Sequence, residues 1–90
     1  MKELKDTIEL MESANYKDRF IAEYWQTKIR YDKLHRMIIK REAGTLMFKP
    51  SCPLNILVSQ KEAMGNYLKN LEIRAEIEKI DLFKEINKWI

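Results

Sequence analysis

Apolar residues recur along most of this chain at spacings of three and four, so each segment carries one apolar stripe and the elements it predicts are helices. In residues 3–12, Leu4, Ile8 and Met11 form such a stripe, enough for a short helix that must lie against something larger. Asn15, with Asp18 three residues on, reads as an N-cap with a near capping box. Helical spacing then continues without a breaker to Ala43, with Gly44 in the position that ends helices. The long helix predicted over 15–43 is about 42 Å long at about 1.5 Å per residue. Its seam runs Phe20, Tyr24, Thr27, Tyr31, Leu34 and Ile38, and Ile21, Trp25, Lys28, His35 and Ile39 widen that face.

Residues 44–52 predict a loop, and Ser51 or Cys52 ahead of Pro53 marks the next helix start, because proline is favoured at the first helical position. A second long helix follows over 53–79, striped by Leu54, Leu57, Val58, Met64, Tyr67, Leu68 and Leu71. Gly65 inside it costs about 1 kcal/mol against alanine, which points to the close approach of another helix, or of a ligand. Asp81 reads as the cap of a C-terminal helical segment, 81–90, ending in Trp89 and Ile90. With two glycines and two prolines in all, strands have almost nowhere to turn. The expected architecture is all-α: one domain, 1–90, with a short N-terminal helix and an antiparallel hairpin of two long helices.

A chain of 90 residues buries only roughly 60% of its unfolded surface, so its core is marginal alone. At 46% hydrophobic, it has more apolar surface than one hairpin partner can hide, and homo-oligomerisation is expected. The net charge of +3 is distributed as −2 over 1–14, +4 over 15–43 and +1 over 44–90, so the excess sits on the first long helix. That is too little for a duplex-coating protein, and DNA is not an expected partner. It is enough for a small anion. The single cysteine, Cys52, suits a reducing compartment, the N-terminus lacks the apolar run of a signal peptide, and no stretch is long enough to span a membrane. These features point to the cytoplasm.

Catalytic chemistry finds little support. His35 falls mid-helix and Cys52 beside a proline, so no nucleophile has a base near it in sequence, and the carboxylates alternate with lysines as on solvated helix faces. No Cys/His spacing fits a metal, and no glycine-rich phosphate cradle is present. The expectation is a protein that is not an enzyme and needs no cofactor or metal.

The segment that suggests binding is EYWQTKIRYDKL, residues 23–34. Tyr24, Lys28 and Tyr31 recur at i, i+4 and i+7 and project side by side, with Trp25 next to Lys28 and Arg30 among them. Rings stack on bases for roughly 1–3 kcal/mol each, and a lysine can lie over a base or pair with a phosphate. The same stripe is equally what helical core packing looks like, with Lys28 snorkelling along it. Tyr16 is harder to explain as core. It stands at the start of the long helix, where orphan amides attract anions.

EYWQTKIRYDKLHRMI in the first long helix and LNILVSQKEAMGNYLKNLEIR in the second, with its Q-x-x-A-M-x-x-Y-L run from Gln60 to Leu68, resemble the small phage-encoded anti-CBASS proteins that act as cyclic-oligonucleotide sponges. The likeness covers roughly residues 15–75. It implies a compact homohexamer of helical protomers that binds cyclic dinucleotides, such as 3′,3′-cGAMP, between two protomers without cleaving them. Such a protein keeps a host effector inactive during infection, which places it in the host cytoplasm. The family's pocket pairs a tyrosine near the start of the long helix with a lysine further along it from another protomer. Carried over, these are Tyr16 and Lys28. The interval between them here is about one turn shorter than in better-known members, which leaves Tyr24 or Phe20 as alternatives for the ring. Tyr24, Trp25, Arg30 and Tyr31 complete the candidate ligand-binding set.

Overall fold

The structure is a computed structural model, and it describes residues 3–83. A 3₁₀ turn over Leu4–Thr7 leads into α1 (Ile8–Met11), and the long helices are α2 (Tyr16–Ala43) and α3 (Leu54–Glu78). The described residues contain helices and no strand. The N-terminal stripe therefore forms as a tightened first turn followed by one α-helical turn. Glu3 and Asp6 close a reciprocal capping box at its start.

Local chemistry sets the ends of α2. The Asn15 side chain accepts from the Lys17 amide at 2.9 Å, satisfying an orphan donor of the first turn. Asp18 reaches back through Ser13, whose hydroxyl donates to it at 2.8 Å and accepts from the Asn15 amide at 3.0 Å. At the far end Gly44 takes a left-handed φ of 76°, its amide bonding the Arg41 carbonyl and the Thr45 amide the Lys40 carbonyl at 2.9 Å. That pair of bonds is the Schellman closure, and a glycine at this position adopts it without a Cβ clash.

Pro53 takes the N-cap of α3 rather than the first helical position. Its carbonyl accepts from Ile56 and Leu57, and its missing amide costs nothing there. Helix α3 ends on Lys79 at φ 58°, with the Ile80 amide bonded to the Ala75 carbonyl at 2.8 Å. Residues 80–83 then fold back as a turn in which the Asp81 carboxylate accepts from the Phe83 amide at 3.0 Å. Asp81 thus closes an Asx turn in this stretch. The rest of the expected C-terminal segment lies outside the described residues.

The two long helices run antiparallel: Tyr16 meets Glu78, Tyr24 meets Glu72, and Tyr31 meets Gly65. Their shared core is Phe20, Tyr24, Trp25 and Ile29 against Leu68, Leu71 and Ala75, closed below by Ile80 and Leu82 of the tail. Each fully buried large apolar side chain of this kind contributes about 1.5–3 kcal/mol. On α1's side, buried Thr7 accepts from Gln26 at 3.0 Å and donates to the Leu4 carbonyl at 2.7 Å, fixing the N-terminal turn across α2.

The structure redraws the seam of α2. Ile29, absent from the heptad stripe, is buried, whereas Ile39 is half exposed. A straight helix drifts from a strict seven-residue repeat, and the core follows the 3.6 period of α2 where α1, α3 and the tail meet it.

Candidate functional site

Lys28 projects from the middle of α2, half-buried. Its ammonium donates to Asp32 at 3.1 Å, one turn on, and sits 5.5 Å from the centroid of the Tyr31 ring. The Asp32 pair is partly open to water and worth no more than about 1 kcal/mol, so a second anion can compete for the ammonium. Tyr31 in turn lies parallel to His35, centroids 6.3 Å apart, and its edge rests on Gly65. A Cβ at Gly65 would stand 3.4 Å from Tyr31 Cε2, so the Tyr31 ring packs over the glycine at about van der Waals distance. His35 is partly buried, and its Nδ1 has no hydrogen-bond partner among the described residues. Beside this cluster Tyr31, Lys61, Glu62, Gly65 and Asn66 line an open hollow of about 480 Å³.

Tyr16 occupies the first helical position of α2 and is half exposed. Its ring stands edge-on to Phe20 at 6.1 Å, and its hydroxyl donates to Glu78 at 2.9 Å while accepting from Arg74 at 2.8 Å. Arg74 also reaches Glu78 through Nε at 3.4 Å and lies over the Phe20 ring at 4.9 Å. The ring is therefore presented at the surface but tied to α3 at its tip.

Tyr24 and Trp25, which the spacing allowed as ligand-facing rings, are 0% and 8% exposed in the protomer, and both belong to its core. Tyr24 stands edge-to-face with Trp25 and Phe83, and its hydroxyl donates to Glu72 at 2.6 Å. Trp25 donates through Nε1 to the Leu82 carbonyl at 2.8 Å. Burial, then the bond to the Glu72 carboxylate, pushes the Tyr24 phenol well above its usual range, so it remains a neutral donor. The cause lies in the tail, which supplies a third wall that local spacing does not reveal.

Arg30 is exposed, as are Lys33, Arg36, Lys40 and Arg41 on the same helix. Of the candidate set, Tyr16, Lys28, Arg30 and Tyr31 are accessible in the protomer, and Tyr24 and Trp25 are buried. Asp32, Glu72, Arg74 and Glu78, which lie outside the candidate set, hold three of these side chains: Lys28, Tyr24 and Tyr16. The i, i+4 spacings of Lys28 with Asp32 and of Arg74 with Glu78 were visible; the cross-helix bonds were not.

A hollow of about 560 Å³ is lined by Glu72, Glu76, Lys79, Asp81 and the tail's Leu82 and Phe83. Its three carboxylates repel an anion. Among the described residues no group of His, Cys, Asp and Glu could hold a metal, and no helix is long and apolar enough to cross a membrane.

A two-helix hairpin that displays a half-buried lysine over a ring, and a tethered tyrosine at its base, has the makings of a small helical binding module. The chain belongs to the Sequestin family, whose profile matches residues 14–77, from just before the cap of α2 to one residue short of the end of α3. Sequestins are the anti-CBASS cyclic-nucleotide sponges, a binding family whose role is sequestration. No curated protein and no solved structure matches the chain.

Proposed function

We propose that this protein sequesters cyclic dinucleotides of the 3′,3′-cGAMP class. Each base is held between Tyr16 of one protomer and Lys28 of another in a homohexamer, and the captured signal cannot activate a host CBASS effector in the cytoplasm of the infected cell. The observation that carries this reading is the placement of the two groups on one unbroken helix. Tyr16 and Lys28 stand twelve positions apart on α2, about 18 Å along its axis and about a third of a turn around it. They cannot sandwich one base within a single chain, so a shared base calls for two copies.

Symmetry makes two copies economical. A cyclic dinucleotide has two bases, two negative charges and approximate two-fold symmetry, and an isologous protomer pair offers it two rings and two ammonium groups from one set of residues. Tyr31 backs the Lys28 ammonium and Arg30 adds a cation on the same helix. The apolar side chains that α3 leaves exposed, Ile56, Tyr67, Ile73 and Ile77, supply surface for the assembly. Stoichiometric capture needs no bond to be broken.

Calorimetry with 3′,3′-linked cyclic dinucleotides tests this reading, with mass spectrometry of the ligand recovered after heating. Sub-micromolar binding and an unaltered ligand are expected; absence of binding, or a cleaved product, overturns it. Lys28→Ala is expected to abolish binding while native mass spectrometry shows an unchanged oligomer. The exposed α3 side chains also favour a second reading, a helical adaptor for another protein. A stoichiometric protein partner with no nucleotide affinity would select that one.

A further inference from the structure

The base of the hairpin holds an arrangement that stability alone does not explain. Three side chains open to solvent form a closed ring of contacts: Arg74 donates to the Tyr16 hydroxyl at 2.8 Å, that hydroxyl donates to Glu78 at 2.9 Å, and Arg74 Nε returns to Glu78 at 3.4 Å. Surface ion pairs contribute little to folding, because water screens them and long side chains lose entropy in forming them. What the ring does fix is an angle. With its hydroxyl held from two sides and its edge set against Phe20, Tyr16 has its ring plane determined although the ring is half exposed. The Arg74 guanidinium is itself seated over Phe20, 4.9 Å from the centroid, so the clamp is anchored to the core.

We propose that Arg74 and Glu78 are positioning residues for ligand binding: they hold Tyr16 as a preset stacking surface for a base. The inference rests on the sponge reading and deepens it. An untethered tyrosine at the first position of a helix samples several rotamers, and a base that stacks on it must freeze them, at a cost in affinity. The clamp removes that cost before the ligand arrives. Arg74 and Glu78 act through the hydroxyl, so their effect should vanish when the hydroxyl is absent.

The test combines a ligand-free and a ligand-bound measurement on the full chain. In protein labelled with 3-fluorotyrosine, the Tyr16 resonance is identified by its loss in Tyr16→Phe. It is expected to move towards the free-tyrosine position in Arg74→Gln and Glu78→Gln, while those of Tyr24, Tyr31 and Tyr67 stay put. A Tyr16 signal indifferent to both variants overturns the clamp. In calorimetry with 3′,3′-cGAMP, Arg74→Gln, Glu78→Gln and Tyr16→Phe should each weaken binding by about three- to tenfold, with Arg74→Lys recovering part of it. Tyr16→Ala should cost more than tenfold.

The double variant Tyr16→Phe with Arg74→Gln should bind no worse than Tyr16→Phe alone, which a merely structural role would not produce. Additive losses overturn the positioning role and leave the sponge reading standing. A wild-type protein that shows the tethered fluorine signal yet binds no cyclic dinucleotide overturns the sponge reading, and the role of the clamp in binding with it.

Discussion

The base and the loop end of the hairpin are built from the same kinds of residue and behave differently. At the base, Phe20, Tyr24, Trp25 and Ile29 meet Leu68, Leu71 and Ala75, and the tail closes over them with Ile80 and Leu82. At the loop end Ile38 is buried, while Ile39, Met47, Phe48 and Ile56 are all at least half exposed, Met47 at 95%. Two helices can hide only the strip along which they touch. The base gains further layers from α1 and from residues 80–83, and the loop end has none within the described chain. A core in a hairpin this small depends on third elements more than on the hairpin itself.

Several substitutions would break or sharpen this contrast. Leu71→Ala should cost about 2–5 kcal/mol in denaturant unfolding, as expected for a truncated core leucine. The comparable cut Ile56→Ala should change protomer stability by no more than about 0.5 kcal/mol. Equal losses at the two positions would erase the distinction. The base should also respond to alkali. The Tyr24 phenol is raised above its ordinary value of 10.0 in the folded protein by burial and by Glu72, so its contribution is complete below that pH and is lost as pH climbs above it. Unfolding free energy measured from pH 8 to 12 should therefore fall beyond about pH 10, with a smaller fall in Tyr24→Phe.

Smaller effects belong to the helix ends. Asn15→Ala removes the acceptor of the Lys17 amide and should cost about 1 kcal/mol, read as a lowered Tm. Lys79→Gly should gain a little, less than about 1 kcal/mol, because Lys79 holds a left-handed φ of 58° that glycine adopts more easily.

The pattern of residues carried the helices and their ends well, because those are local matters. Asn15 and Gly44 act at the two ends of α2 through bonds spanning a few residues, and such bonds leave a short-range signature. The faces were less legible. Nothing near Trp25 announces that its indole will meet a carbonyl 57 positions later, or near Tyr16 that its hydroxyl will meet side chains 58 and 62 positions away. A ring presented at the surface and a ring packed in a core can share one spacing. What separates Tyr16 from Tyr24 is tertiary: where the second helix and the tail come to rest.

The bond between Trp25 and the Leu82 carbonyl gives the molecule a built-in optical gauge. An indole enclosed by Tyr24, Phe83 and the tail emits at shorter wavelength than one in water, so its colour reports whether residues 80–83 are seated. With Trp89 replaced by phenylalanine, the emission maximum would follow undocking of the tail separately from melting of the helices seen by circular dichroism. If the two signals part company on gentle heating, the tail opens before the hairpin does.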